Sequence, residues 1–361
     1  MKNPIVFILI SCIFNPMQLL SRHIPASHPF IQYCGRWDRS DPDQPKHSWP
    51  GVSVCISFHG TRIGVCLDDT INFHNVYIDG QFQGVFHGSS DGETDYILAD
   101  NLEDTTHTLR FSKRNSSFGR IFSFSGFILN ENGDLLKPPD QLQLKFEFLG
   151  NSFTAAEGNE AERQEMDWEE TIPVTNIDKG FAAVTADFFG AQYHTICRPG
   201  IGLVHDWTGD SRFNLPAYFN RTLMEAAEPE WNFQQWIPDL VVICLGLNDY
   251  SGFGGWQGDI DETDAELFIS RYHHFIQMIR DVYPGVQIIA FSPHVEWLKD
   301  QVRQVVESEK ARGHADVFYA DFDYYEGGYV ANSHPSVETH LKISKALINT
   351  IKQIPIFPSN P

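Results

Sequence analysis

The run Asp239-Leu240-Val241-Val242-Ile243-Cys244-Leu245, stopped by Gly246, constrains the fold of this chain more than any other segment. An unbroken apolar run has no polar side to turn to water. It therefore reads as a strand buried on both faces, the kind found in parallel sheets covered by helices. Its surroundings agree. Leu142-Gln143-Leu144-Lys145-Phe146-Glu147-Phe148-Leu149 reads as a strand entering Gly150, residues 286–291 as a second buried strand, and Val317-Phe318-Tyr319-Ala320-Asp321 as a shorter one. Helical periodicity fills residues 179–193, 265–283 and 338–351. Strands alternating with helices predict a three-layer α/β domain with a parallel sheet over residues 141–361. In such sheets ligands bind beyond the carboxyl ends of the strands. Gly150-Asn151-Ser152 and Gly246-Leu247-Asn248-Asp249 both fall there.

The first part of the chain has another rhythm. Short alternating strands with turn signals run from about residue 30, and Tyr77-Ile78-Asp79-Gly80-Gln81-Phe82 holds Asp-Gly, a strong hairpin signal. This predicts an antiparallel β-sandwich over residues 28–137, closed by the stiff Lys137-Pro138-Pro139-Asp140 boundary. Val52-Ser53-Val54-Cys55-Ile56-Ser57-Phe58 and Ile63-Gly64-Val65-Cys66-Leu67 both alternate, joined by His59-Gly60-Thr61-Arg62. Read as a hairpin with Phe58 opposite Ile63, they set Cys55 against Cys66, as a cross-strand disulfide or as two buried thiols.

Residues 4–14 are almost wholly apolar after Lys2, too short to span a bilayer but suited to the core of a signal peptide over residues 1–22. The expected location is secreted or periplasmic. Leu9-Ile10-Ser11-Cys12 also matches a bacterial lipobox, which would make the chain a lipoprotein anchored through Cys12. A formal net charge of -21 disfavours nucleic acid and anionic membranes, both of which need a positive field. After Cys12 the cysteines are odd in number, without Cys-x-x-Cys spacing, so neither a zinc site nor any other cofactor is expected.

Four blocks carry chemistry: Gly150-Asn151-Ser152, Arg198-Pro199-Gly200-Ile201-Gly202, Gly246-Leu247-Asn248-Asp249 and Ser333-His334-Pro335. A serine hydroxyl becomes a nucleophile when a base takes its proton. Ser152 is the candidate nucleophile and His334 the candidate base. The developing oxyanion needs donors aimed at it. The backbone N–H groups of Ser152 and Gly200 and the neutral amide of Asn248 are candidates.

Together these blocks resemble the SGNH (GDSL-type) hydrolase superfamily over residues 142–355. Gly35-Arg36-Trp37-Asp38, Trp49-Pro50-Gly51-Val52, Phe58-His59-Gly60-Thr61 and Tyr77-Ile78-Asp79-Gly80 resemble the jelly-roll sandwich that precedes that domain in carbohydrate esterase family 2, the acetyl xylan esterase-like enzymes. The resemblance implies a serine esterase that removes O-acetyl groups from polysaccharides or oligosaccharides, without a metal, through an acetyl-enzyme. Two positions depart from the pattern. Gly-Asp-Ser is Gly150-Asn151-Ser152, and the Asp three residues before the histidine is Ala331. Without that carboxylate the imidazole needs another partner. The options are a backbone carbonyl of Ala331 or Asn332, leaving a Ser152–His334 dyad, or a carboxylate such as Asp249 or Glu338. Sugar platforms are expected from Trp256, Tyr250 and Trp207, since the residue before His334 is Ser333 rather than an aromatic. His205-Asp206 reads as structural. The competing expectations are a lipase or thioesterase of the same superfamily, and a weakened enzyme that mostly binds sugar.

Overall fold

Alternation at period two organises the first part of the chain and buried runs the second, and the computed structural model shows each as a separate unit. It describes residues 21–258 and 260–354. The division falls between Gln141 and Leu142. The apolar residues 4–14 and Cys12 lie outside the described residues.

The first unit contains β1 (Ser21–Pro25), β2 (Gln32–Cys34), β3 (Lys46–His47), β4 (Ser53–Gly60), β5 (Ile63–Asp68), β6 (Phe73–Ile78), β7 (Gln81–His87), β8 (Thr94–Ala99), β9 (Thr105–Lys113), β10 (Phe122–Asn130) and β11 (Asp134–Leu136). One antiparallel sheet has the order β1-β10-β5-β8, with β3 also on β10. The other has the order β11-β4-β9-β6-β7, with β2 also on β4. The sandwich thus includes Ser21 and Arg22, which pair with Asn130 and Leu129 and stand inside the segment read as a leader. The Asp79-Gly80 hairpin is present: Ile78 pairs with Gln81, and both turn residues have positive φ, 52° and 73°, as a primed turn requires.

The expected β4–β5 hairpin does not form. β4 pairs with β9, β11 and β2, whereas β5 pairs with β10 and β8 in the other sheet. Thr61 N–H donates to Asn130 Oδ1 at 2.9 Å, and a Cβ on Gly60 (φ +144°) would sit 2.3 Å from that same oxygen. The chain is therefore pinned where it leaves one sheet for the other. Val54, Ile56 and Phe58 of β4 and Ile63, Val65 and Leu67 of β5 are all buried. Alternation alone fits two strands of facing sheets as well as it fits a hairpin. Cys55 and Cys66 consequently belong to different sheets, and both are free thiols.

The second unit is built on five parallel strands: β12 (Lys145–Gly150), β13 (Gln192–Cys197), β16 (Leu240–Cys244), β17 (Gln287–Ser292) and β18 (Val317–Asp321), in the order β13-β12-β16-β17-β18. Two small hairpins, β14 (Arg221–Leu223) with β15 (Ala226–Glu230) and β19 (Tyr329–Val330) with β20 (His334–Pro335), stand outside it. The helices are α1 (Trp168–Thr171), α2 (Phe181–Phe189), α3 (Leu247–Gly252), α4 (Glu262–Val282), α5 (Glu296–Ala311) and α6 (Val337–Ile351). Phe146, Phe148, Val242, Cys244 and Ile289 form one core with Phe181 and Ala182 of α2 and Ile343, Leu347 and Ile351 of α6. The other face carries Glu147, whose carboxylate accepts from the Tyr283 hydroxyl at 3.5 Å at the end of α4. There α4 buries Phe268, Tyr272 and Phe275, and α5 buries Leu298, Val302 and Val306.

Strand order reverses at β12. The chain steps from β12 to β13 on one side, then returns to β16 on the other, which opens a crevice at the carboxyl ends of β12 and β16. Gly150 closes β12 and Gly246 follows β16, so the first and third sequence blocks meet there.

Candidate active site

At the end of β12 the chain turns sharply. A Cβ on Gly150 would stand 2.0 Å from Thr154 Oγ1, so no larger residue fits before the turn. Asn151, almost fully buried, accepts the Phe153 N–H on Oδ1 at 3.1 Å. An aspartate would accept the same bond, so the amide serves the turn without adding a buried charge. Glu157 N–H donates to the Ser152 carbonyl at 3.0 Å. Ser152 is left 7% exposed at the crevice.

The second block is tied to the first through Arg198 N–H, which donates to the Gly150 carbonyl at 3.2 Å. Gly200 has φ +79°, the left-handed region that favours glycine. Among the described residues no protein acceptor takes the backbone N–H of Ser152 or Gly200. Asn248 Nδ2 donates to the Ile201 carbonyl at 2.7 Å. This bond uses one amide hydrogen, orients the side chain and leaves the second hydrogen available.

Asp249 has a structural task. Fully buried, its carboxylate accepts the Leu203 N–H at 2.9 Å and the Val204 N–H at 2.7 Å. Burial raises its pKa, and these backbone donors oppose the rise. It therefore holds the loop after Gly200 and does not orient His334. Glu338 is also excluded from that role, because it pairs with Lys342 at 2.9 Å on the exposed face of α6.

His334 sits in β20, after three residues with positive φ: Ala331 (20°), Asn332 (54°) and Ser333 (65°). Such a run is costly for side chains other than glycine, and a neighbouring strap holds it. Ala331 N–H donates to the Arg163 carbonyl at 2.9 Å, and Asn332 bonds both backbone groups of Met166. The turn brings Nδ1 of His334 within 2.7 Å of the Ala331 carbonyl. A carbonyl only accepts, so Nδ1 carries the proton and Nε2 of the neutral ring is the free base. The His334 ring lies against Phe153, centroids 5.8 Å apart, which sets it beside the turn that carries Ser152.

Two features were missed in the sequence. Glu157, largely buried, places Oε2 3.8 Å from His334 Nε2. Burial raises its pKa, and His334 opposes that. Its only sequence signal is its place one turn after Ser152. The second feature is aromatic. Tyr324, 59% exposed, stacks on Tyr329 (4.8 Å, 6°), and the Tyr329 hydroxyl lies 3.4 Å from Nδ1 of His294. His294 in turn stacks near Phe153 at 6.3 Å. Burial, with help from Lys299, lowers the His294 pKa to about 4, so it is neutral near pH 7. The signal was the Tyr324-Tyr325 pair just past the carboxyl end of β18.

The three expected platforms differ. Trp207 is 59% exposed and lies over Gly200, where a Cβ would come within 3.3 Å of its indole. Trp256 is equally open and packs edge-on against Tyr250 at 4.8 Å. Tyr250 itself is half-buried beneath Gly255, so it supports Trp256. His205 Nδ1 bonds the Asp206 carbonyl at 2.9 Å, and Asp206 caps the turn to Thr208.

One metal-capable trio lies among the described residues, far along the chain from these blocks. His47, Asp69 and His74 are all buried in the sandwich. Burial, followed by the Lys113 charge, holds His47 well below the usual histidine range.

Comparison with known proteins matches residues 33–139 to the model of the carbohydrate esterase 2 N-terminal region. The chain is 29% identical over 334 residues to the cellulase/esterase CelE of Acetivibrio thermocellus, which covers 90% of this chain and 39% of that longer protein. It is 24% identical to an acetylxylan esterase/glucomannan deacetylase of Cellvibrio japonicus, covering 96% of both. The solved structure of a family two carbohydrate esterase from Clostridium thermocellum in complex with cellohexaose superposes with a TM-score of 0.80. It is 30% identical, covering 90% of this chain and 98% of that one.

Proposed function

The chain belongs to carbohydrate esterase family 2, and we propose that it removes O-acetyl groups from polysaccharides or oligosaccharides with Ser152 as nucleophile and His334 as base. The observation that carries this reading is the bond from His334 Nδ1 to the Ala331 carbonyl, which makes Nε2 the free base of the neutral ring, beside the Ser152 turn. In the first step Nε2 takes the Ser152 proton as Oγ bonds to the acetyl carbon. The N–H groups of Ser152 and Gly200 and the free amide hydrogen of Asn248 receive the oxyanion. The intermediate collapses, the sugar oxygen leaves with the proton from His334, and an acetyl-serine remains. Water repeats the sequence and releases acetate.

A backbone carbonyl orients the ring but carries no full charge. The Glu157 carboxylate supplies one, 3.8 Å from the nitrogen that becomes protonated. The sugar class is supported by relatives named as acetylxylan esterase/glucomannan deacetylase and by the neighbour crystallised with cellohexaose. The apolar residues 4–14 support export of the protein.

Ser152→Ala tests the reading. Hydrolysis of 4-nitrophenyl acetate and acetate release from acetylated glucomannan fall by about 10³-fold or more, with an unchanged circular dichroism spectrum. Substantial turnover by this variant would remove Ser152 as nucleophile.

A further inference from the structure

The outer face of the β4 sheet holds a group of side chains unrelated to ester hydrolysis. β2 is a three-residue strand paired only with β4 among the described residues, in the register Gln32↔Cys55, Tyr33↔Val54, Cys34↔Ser53. Cys34 and Cys55 are therefore diagonal neighbours. Their side chains emerge on the same face, because positions two apart along β4 share a side. The register thus sets the two thiols side by side on one face of the sheet. Both are partly exposed and neither is oxidised. Arg110 stands directly opposite Cys55 in the register of β4 and β9, its guanidinium 4.3 Å from the centre of the Tyr77 ring.

This arrangement polarises the pair. The neighbouring Cys55 thiol lowers the Cys34 pKa most, and Ser53 and Arg110 add to it against the cost of burial, bringing the thiol to about 7. Cys34 in turn, together with burial, raises Cys55. Cys34 is the nucleophilic sulfur, and Cys55 stands beside it as the resolving thiol. Cys66 offers a contrast on the other sheet, pushed up to about 12 mainly by burial.

We propose that Cys34 and Cys55 are a redox-active dithiol that closes to a disulfide by exchange with small-molecule disulfides. The Cys34 thiolate attacks one sulfur of the added disulfide, forms a mixed disulfide and expels one thiolate. Cys55 loses its proton to solvent and attacks the Cys34 sulfur. The second thiolate leaves, and the Cys34–Cys55 bond remains. Two electrons pass from the cysteine pair to the added disulfide, which departs as two thiols. A diagonal pair starts near the upper limit of disulfide geometry. The small closing movement falls on β2, which is short and held on one side. The bond ties β2 to β4 and closes the loop that carries the buried Trp37 and Trp49.

The test uses the full chain with oxidised glutathione under native conditions, then iodoacetamide and peptide mapping. The expected product is a linked Cys34–Cys55 peptide, lighter by two hydrogen atoms and opened by a phosphine reductant. Before oxidation, Cys34 alkylates at least about tenfold faster than Cys66 at pH 7. Cys55→Ser leaves Cys34 trapped as a glutathione mixed disulfide, and Cys66→Ser leaves the crosslink intact. The proposal is overturned if both cysteines remain alkylatable after oxidation, if the mixed disulfide on Cys34 persists in the unmodified chain, or if Cys66 is found in the bond.

Discussion

Ala331 occupies the position where the related pattern places an aspartate, and its surroundings explain why an aspartate does not belong. The residue is fully buried, and its Cβ lies 2.3 Å from where a Cβ on Gly158 would stand. A carboxylate would be driven against the Gly158 turn, away from the imidazole. The ring is held instead by the carbonyl of the same residue. Ala331→Asp is therefore expected to lower stability by about 1–3 kcal/mol and to leave kcat for 4-nitrophenyl acetate unimproved. Thermal denaturation and steady-state kinetics check both. A rise in kcat would mean that the carboxylate can reach Nδ1. The absence of the aspartate was legible in the sequence, and the Ala331 carbonyl was among the expected replacements beside Asn332, Asp249 and Glu338; which of them holds the ring was not legible. A backbone carbonyl leaves no mark in residue identity, and the positive φ values at Ala331, Asn332 and Ser333 follow from bonds to the distant residues 163–166.

At the level of elements, strand ends decide what the crevice presents. The loop after β13 carries Trp207 over Gly200, and the loop after β18 carries Tyr324 over Tyr329. Both rings are more than half exposed. Exposed aromatic faces suit stacking on sugar rings, and a small nitrophenyl ester has little use for them. Trp207→Ala and Tyr324→Ala are each expected to raise KM for acetylated glucomannan about tenfold while changing that for 4-nitrophenyl acetate less than about twofold. Equal losses on both substrates would instead mark these rings as supports of the catalytic turn. The buried strands were readable because their runs are apolar on both sides. Neither α5 nor β13 is among the sequence expectations. The buried positions of α5 are interleaved with charged ones, and β13 follows α2 so closely that the helical pattern of residues 179–193 runs across both.

At the scale of the whole molecule, buried neutral histidines tie folding to pH. Burial lowers His74 to about 4 in the sandwich and His340 to about 3 in the α/β unit, from an ordinary value of 6.5. Below pH 6.5 the unfolded chain binds protons at these rings and the folded chain does not. Stability is thus fully present above about pH 6.5 and is lost as pH falls toward 4. The melting temperature is expected to fall across this window. His340 Nδ1 accepts the Phe181 N–H at 3.2 Å, so His340→Asn can keep that acceptor while removing the titration, and should flatten the fall. An unchanged slope would assign the acid sensitivity to other groups.

The sequence by itself determined the two-part architecture, because hydrophobic periodicity and unbroken apolar runs are local properties that report burial directly. It also determined the types of the four blocks, because glycines at strand ends, a serine, an asparagine and a late histidine are written in residue identity. Tertiary structure decided which strands pair, which cysteine meets Cys55, what holds His334 and which carboxylate faces it. Each of these depends on which distant segments share a surface. Cys34 and Cys66 are both near Cys55 in the chain, and only the division of β4 and β5 between two sheets separates them.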